Sequence, residues 1–148
     1  MKFGAHSTLS TISLVSILLF SGCGFKQAKL DAEAMLDQHF RSEASGDTNA
    51  VLADYGPAFF RKITAKEWSR NVAKVGDKLG TCQSHTVTGW RVFKDSSTSG
   101  SGTTVSLQCD VLYSKHPATE TFLLFKGSSD PSYKIVGHQI NSSGLLAD

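Results

Sequence analysis

The sequence predicts an α+β fold in which N-terminal helices pack on a four-stranded antiparallel sheet. Up to Gly80, apolar residues recur every three or four positions, which is the spacing of helices. Beyond Gly80 the period becomes two, most clearly where Val105 to Tyr113 alternate with polar residues. No helical segment separates the predicted strands, so a parallel sheet built from βαβ units is not expected.

The first helix is predicted to begin near Gln27 and to end at residues 45–47, which read Ser-Gly-Asp. Its expected apolar face carries Leu30, Ala34, Leu36 or Met35, and Phe40. A short second helix should follow, with Asp47 as its N-cap, because a carboxylate there accepts hydrogen bonds from free backbone N–H groups. Gly56 and Pro57 are expected to stop this second helix.

The third helix has the most specific start signal in the chain. Thr64 and Glu67 match a capping box, in which each side chain satisfies a backbone donor near the other. Gly80 supplies the stop. The apolar side of this helix is expected to carry Trp68, Val72, Val75 and Leu79.

Four strands are predicted after this helix, at residues 82–93, 105–113, 121–125 and 133–140. A polar loop at 95–102 and turns near 114–117 and 127–131 should join them. Residues 27–142 therefore form one α+β domain, and residues 143–148 a trailing tail.

The N-terminus has the layout of a secretory signal peptide. Lys2 is followed by a mostly apolar run from Ile12 to Phe20, which is much shorter than the ~20 residues needed to span a bilayer. The run ends in Phe20-Ser21-Gly22-Cys23, which resembles the lipobox of bacterial lipoproteins. Two alternatives are an ordinary signal peptide cut nearby and an N-terminal membrane helix.

The lipobox resemblance implies cleavage between Gly22 and Cys23 and attachment of a diacylglyceryl group, often with a further acyl (palmitoyl) chain, at Cys23. Residues 1–22 would then be the signal peptide and residues 23–26 a lipidated tether that keeps the domain close to a bacterial membrane. In Gram-negative lipoproteins an Asp after the Cys commonly causes retention in the inner membrane. Gly24 therefore favours the outer membrane, facing the periplasm, in such a host.

The two remaining cysteines would lie in an oxidising compartment, which permits a disulfide between Cys82 and Cys109. A simple hairpin argues against it, because Cys109 would then lie opposite about Thr88. The offset of about 20 Å is too long for a disulfide. A bulge or a different register would be needed to join them.

Residues 46–80, with Gly-Asp, Ala-Asp-Tyr-Gly-Pro-Ala-Phe-Phe and Thr-Ala-Lys-Glu-Trp, resemble the nuclear transport factor 2-like (cystatin-like) domains of unknown function in small bacterial secreted proteins and lipoproteins. The similarity extends to Glu120–Leu124 and Tyr133–Ile140 in the predicted strands. It implies a cone of helices on a strongly curved sheet with a pocket in its mouth. The resemblance implies no catalytic residues in this chain.

Related folds host acid/base chemistry, so the candidates for such a pair are Tyr55, Asp110, Tyr113, Glu120 and His138. Alternation places Asp110 on the strand face opposite Tyr113, so these two should not share a cavity. The default interpretation of the strand carboxylates is that they are solvated.

No metal ligand is assigned. His39, His85, His116 and His138 have none of the spacings typical of zinc sites, so they are interpreted as surface or core residues. Four aromatic residues could line a ligand pocket but are more often core residues at these spacings: Phe59, Phe60, Trp68 and Trp90. With 15 basic and 13 acidic residues and no basic block, the chain is not expected to bind nucleic acid. No cofactor is expected.

The function that the sequence favours is a non-enzymatic, membrane-anchored accessory domain of the bacterial envelope, which binds a protein or a small apolar ligand. The alternative is a small pocket enzyme of the isomerase or dehydratase type. A self-associating structural module is a third interpretation.

Overall fold

The computed structural model describes residues 23–95 and 101–146. The predicted signal peptide (1–22), the centre of the predicted loop (96–100) and the last two residues lie outside these ranges. The helices are α1 (Cys23–Ala44), α2 (Thr48–Ala53), α3 (Pro57–Phe60) and α4 (Ala65–Leu79). The strands are β1 (Cys82–Asp95), β2 (Gly102–Tyr113), β3 (Pro117–Gly127) and β4 (Lys134–Asn141), followed by a 3₁₀ helix at Ser143–Leu145.

The four strands form one antiparallel sheet in the order β1-β2-β3-β4, so each strand pairs with the next one along the chain. The predicted α+β class with a four-stranded antiparallel sheet is therefore confirmed. The outer strands β1 and β4 do not pair with each other, so the sheet does not close into a barrel. Register shifts, one of them after Val87 in β1, mark irregularities of the kind that bend a strand.

The alternation predicted for β2 is confirmed by burial. All five apolar positions face the core with 3% exposure or less: Val105, Leu107, Cys109, Val111 and Tyr113. The corresponding inward positions of β3 are Ala118, Glu120, Phe122 and Leu124, which are equally buried. Helix α1 packs on this face against β1 and β2, and α3 packs against β4.

Helix α1 packs on the sheet by a face that overlaps the predicted one only at Leu36 and Phe40. Its buried apolar positions are Ala28, Ala32, Leu36 and Phe40, at steps of four. Leu30 is 46% exposed and Ala34 is also exposed, although both were expected in the core. The side chains of Ala28 and Ala32 are short enough to let the helix approach the sheet. The spacing of apolar residues in the sequence does not by itself distinguish between two overlapping apolar stripes on one helix.

Helix α1 also begins at Cys23, four residues before the predicted start, so the residues predicted as a tether, 23–26, are helical. In the part of the chain that the structure describes, no helix is both long and apolar enough to cross a membrane.

The segment between α2 and α3 pairs with the free edge of β4. The N–H of Ile135 donates to the Asp54 carbonyl, and the N–H of Gly56 donates to the Ile135 carbonyl, both at 2.9 Å. Pro57 then opens the short helix α3 at a position where its missing N–H costs nothing. The sequence predicted that the second helix stops at Gly56 and Pro57, whereas α2 already ends at Ala53, and α3 was not predicted.

The capping box of α4 is confirmed. The Glu67 N–H donates to Thr64 Oγ1 at 3.2 Å, and the Thr64 N–H donates to Glu67 Oε2 at 3.0 Å. Gly80 ends the helix with φ at +89°, a conformation that residues with a Cβ rarely adopt. The predicted tail is partly ordered, because residues 143–145 form the 3₁₀ helix beside α4 and Gly144 is buried.

The disulfide that the sequence left open is not formed in the structure, where Cys82 and Cys109 are both free thiols. Cys82 pairs with Tyr113, and Cys109 pairs with Val87. The bulges shift the expected partner of Cys109 by one residue, from Thr88 to Val87, which is far too little to bring Cys82 opposite Cys109. Burial raises the pKa of each thiol to about 12.

Leu36→Ala and Leu30→Ala test the corrected face of α1. Leu36 is fully buried, so its truncation should lower the free energy of unfolding by about 2–5 kcal/mol through lost transfer energy and a new cavity. Leu30→Ala, on the same helix, should cost less than about 1 kcal/mol. Urea unfolding followed by circular dichroism measures both, and equal losses would contradict the observed packing.

Thiol titration tests the register of β1 and β2. The unfolded, unreduced protein should titrate the same number of thiols as the reduced protein, because Cys82 and Cys109 are unpaired. In the folded protein at about pH 8 both should react slowly, since their raised pKa leaves little thiolate. A gain of two thiols on reduction would show that the disulfide exists.

Candidate functional site

The most distinctive chemical feature of the structure is a set of hydrogen-bonded polar side chains between the helices and the sheet, here called the polar cluster. Four of the five acid/base candidates from the sequence belong to it, and Asp110 does not. Its members are His39, Glu43, Asp54, Tyr55, Tyr113, Glu120 and His138.

Five elements of the fold bring these side chains together. Helix α1 contributes His39 and Glu43, which lie one turn apart on its buried side. The segment paired with β4 contributes Asp54 and Tyr55. Strands β2, β3 and β4 contribute one residue each, namely Tyr113, Glu120 and His138.

Glu120 lies at the centre of the polar cluster and is only 1% exposed. The Tyr113 hydroxyl donates to Oε1 at 2.6 Å, and Nε2 of His138 lies 2.8 Å from Oε2. Both carboxylate oxygens are therefore satisfied by side chains from neighbouring strands. The default interpretation of a solvated strand carboxylate is wrong for Glu120, because alternation places position 120 on the inner face of β3.

His138 connects Glu120 to Tyr55. Its Nε2 faces a carboxylate, so we assign the proton to Nε2 and leave Nδ1 to accept from the Tyr55 hydroxyl at 2.7 Å. The ring stacks on Phe122, with centroids 4.1 Å apart. Burial lowers the pKa of His138, while the hydrogen bond to Glu120 opposes that change.

Glu43 extends the polar cluster on the other side of Tyr113. Its pKa is raised to about 7, first by burial and second by the negative charge of Glu120. Oε1 of Glu43 lies 3.2 Å from the Tyr113 hydroxyl, which has already given its proton to the shorter bond with Glu120. A protonated Glu43 can donate to that oxygen, so the bonds run in one direction from Glu43 through Tyr113 to Glu120.

His39 and Asp54 form a second branch beside this chain of bonds. Nδ1 of His39 lies 2.9 Å from Oδ2 of Asp54, and the histidine is 2% exposed. The His39 ring meets those of Tyr55 and Phe122 edge-on, with centroids 5.6 and 5.8 Å apart. The branch fixes the end of α2 against α1.

A small, partly enclosed cavity of about 10 Å³ lies beside the polar cluster, which is about the space of one water molecule. Its lining includes Tyr55, Trp68 and His138. The Trp68 N–H opposes part of the burial-driven rise in the pKa of Tyr55, but its geometry does not complete a hydrogen bond. Among the described residues, Nε1 of Trp68 is the buried side-chain nitrogen that has no partner.

The polar cluster contains the residue types of acid/base catalysis, but the side chains at its centre, Glu120 and His138, are only 1% and 5% exposed. Small-molecule sites usually have volumes of about 300–1,000 Å³, far above this cavity. Burial also raises the pKa of Tyr55 and Tyr113 well above the usual tyrosine value, so both phenols stay neutral. The hydrogen bonds of the polar cluster join α1, the segment beside β4 and three strands.

The other candidates from the sequence lie elsewhere. Asp110 is exposed on the outer face of the sheet, where it accepts from Thr119 at 3.3 Å, so its predicted separation from Tyr113 is confirmed. Trp90 is 52% exposed, and the interpretation of it as a core residue is wrong. Phe59 and Phe60 pack beside Tyr55, as core residues do.

Among the described residues, the histidines outside the polar cluster are His85 and His116. His85 bonds to Asp37 at 2.8 Å and stacks on Phe40, while His116 packs beside Gly144. Within residues 23–95 and 101–146, no three His, Cys, Asp or Glu side chains are grouped so that they could hold a metal ion.

Sequence reasoning missed three members of the polar cluster: His39, Glu43 and Asp54. A signal for two of them was present, because Leu36, His39 and Glu43 follow one another at steps of three and four. Polar residues that share a helical stripe with a core leucine are candidates for a buried network. Asp54 had no such signal, since its role depends on how α2 meets α1.

A scan against models of protein families finds no match to the chain, and no curated protein is significantly similar to it.

Glu43→Gln should change how stability depends on pH. With a folded pKa near 7 instead of 4.5, Glu43 binds a proton that the unfolded chain releases, so its contribution is complete below about pH 4.5 and is lost as the pH rises towards 7. Glutamine has no such loss. Urea unfolding should show the variant gaining roughly 1–3 kcal/mol on wild type between about pH 4.5 and 8.

The lowered pKa of His138 gives an opposite trend, with stability rising with pH below about 6.5, but it is common to both proteins and cancels in the comparison. Glu33→Gln is the control for removal of a charge from α1, because Glu33 pairs with Lys29 at the surface. A difference between Glu43→Gln and wild type that stays constant with pH would contradict the assignment.

Proposed function

We propose that this protein is a lipid-anchored accessory domain of the bacterial envelope, which acts by binding and not by catalysis. Anchoring is inferred from the lipobox-like Phe20-Ser21-Gly22-Cys23 and the apolar run before it. Two or three acyl chains, at about 0.8 kcal/mol per buried CH₂, would hold the domain on the membrane almost permanently. A Gram-negative host would place it on the outer membrane, facing the periplasm.

The observation that carries the non-enzymatic part of the proposal is the closure of the interior. The carboxylates, phenols and imidazoles of the polar cluster bond to one another, and the adjoining cavity measures about 10 Å³. Both an internal ligand and an internal substrate would require this cluster to be broken open. Binding through the surface needs no such change.

The outer face of the sheet offers surface of that kind. An open groove of about 560 Å³ runs across it and is lined largely by small polar residues, among them Ser84, Thr86, Thr119 and Asn141. None of the helices α1 to α4 covers this face, because they pack on the opposite side of the strands. A protein partner of the envelope is therefore favoured over a small apolar ligand.

The nuclear transport factor 2-like assignment belongs to the same proposal. Helices before a four-stranded antiparallel sheet agree with that resemblance in element order, and the bulges of β1 agree with a curved sheet.

The rival proposal is a small pocket enzyme of the isomerase or dehydratase type, favoured by the proximity of Tyr55, Glu120 and His138. It requires opening of the polar cluster, for which the cavity gives no room. Turnover of a small carbonyl or hydroxy compound that disappears in His138→Gln would support this rival.

Cys23→Ala tests the anchor. Without the thiol no thioether can form, so the variant should accumulate as an uncleaved precursor or appear without acyl mass, as measured by intact mass and membrane fractionation. Cys82→Ala, which removes a different thiol, should be processed like the wild type. A Cys23→Ala protein with unchanged mass and membrane retention would refute the proposed anchoring.

A further inference from the structure

We propose that one end of the domain lies directly against the phospholipid bilayer through an aromatic and basic surface, here called the membrane-contact face. Its residues are Phe25, Lys26, Lys29, Trp90, Phe93 and Lys94. This inference rests on the proposed anchoring at Cys23 and adds to it a fixed orientation of the domain on the lipid surface.

The first step concerns the distance between the anchor and the domain. Cys23 is the first residue of α1, and Ala28, little more than one turn later, is already buried against the domain. At about 1.5 Å of rise per residue, these two positions are separated by roughly 8 Å along the helix. No extended tether intervenes, so a lipid on Cys23 would hold this end of α1 at the membrane surface.

The second step concerns which part of the sheet lies at this end. A side chain at Gly24 would contact Nζ of Lys94, so the start of α1 lies beside the last residues of β1. Strand β1 is an edge strand, and Trp90 and Phe93 project from its opposite faces, because Trp90 pairs with inward Leu107 and Phe93 pairs with Thr104. Both positions lie within the last six residues of this edge strand, at the end that is next to the start of α1.

The third step is the exposure of these aromatic residues. Phe25 is 40% exposed, Trp90 52% and Phe93 53%. Isolated exposed apolar residues need no explanation, but three large aromatic rings at one rim are unusual in a small polar domain. Tryptophan in particular favours the headgroup region of a bilayer, where its ring is partly buried and its N–H stays hydrated.

The fourth step is the charge around these rings. Nζ of Lys94 lies 4.9 Å from the centre of the Phe25 ring, and Nζ of Lys29 lies 5.8 Å from the centre of the Trp90 ring. Lys26 is exposed on the adjacent turn of α1, whereas Glu33 partly neutralises Lys29 through an ion pair. Lysines beside interfacial aromatic residues favour anionic headgroups and can extend towards the aqueous side.

The bilayer is favoured over a protein partner because the aromatic and basic residues adjoin the proposed lipid site itself. A protein bound at this rim would have to displace the membrane that the anchor brings to it. The polar groove on the outer face of the sheet, by contrast, opens near Leu112 at the other end of β2 and stays accessible.

Quenching of tryptophan fluorescence by lipids brominated in their acyl chains tests the membrane-contact face. The full chain is produced in bacteria, extracted from the membrane fraction and placed in vesicles of phosphatidylethanolamine and phosphatidylglycerol. Trp90 is one of two tryptophans, and Trp68 is in the core, so bromination should lower total emission by up to about half. In Trp90→Phe this loss should disappear.

A matched control places the probe at the opposite end. Leu112 is 49% exposed, close to the value for Trp90, and pairs with Ser84 and Pro117 far from the start of α1. Leu112→Trp in the Trp90→Phe protein should remain unquenched, whereas Phe93→Trp in the same background should restore quenching. Equal quenching at positions 93 and 112, or none at position 93 and none of Trp90, would overturn the proposed orientation.

Intact mass of the same sample separates this inference from the proposed function. An acylated protein whose Trp90 is not quenched keeps the anchor and refutes the membrane-contact face. A protein without acyl mass refutes the anchor, and the same vesicles then test the face alone: quenching of Trp90 supports it, and unchanged emission overturns it.

Discussion

The structure depends on how it accommodates a carboxylate at position 120, on the inner face of β3. A buried carboxylate is costly unless its oxygens are hydrogen-bonded, and here both are bonded, to Tyr113 of β2 and His138 of β4. Tyr113 is also hydrogen-bonded to Glu43 of α1, and His138 is hydrogen-bonded to Tyr55 of the segment beside β4. The hydrogen bonds that satisfy the Glu120 carboxylate therefore also belong to the contacts that pack the helices on the sheet.

This arrangement explains why residues typical of a catalytic site coexist with a closed interior. A directional set of bonds defines one position of α1 relative to three strands more narrowly than apolar contacts would, because an alternative register would leave a buried donor or acceptor unpaired. Removing one partner of such a network is costly, and opening it for a substrate would incur the same loss. The polar cluster thus contributes to the fold, and the proposed binding would use the surfaces.

The surfaces differ in character along the molecule. The start of α1 and the end of β1 carry exposed aromatic rings with lysines above them, whereas the groove near Leu112 is lined by small polar groups. Since α1 is helical from Cys23, an anchor at that residue would set both the distance of the domain from the membrane and its orientation on the membrane. The end at the start of α1 would then contact the membrane, and the end near Leu112 would be free to bind a partner.

Local patterns predicted the α+β class, the capping box at Thr64 and Glu67, the stop at Gly80 and the alternating core of β2, because each depends on neighbours within a few residues. The remaining features depend on long-range packing. Whether Leu30 or Ala32 is buried depends on which stripe of α1 meets the sheet, and Trp90 is exposed because α1 covers only part of β1. The contacts that join α1 to three strands depend on strand register and helix placement, and they involve Glu43, Tyr113, Glu120 and His138. Long-range packing sets both, so local spacing in the sequence does not predict these contacts.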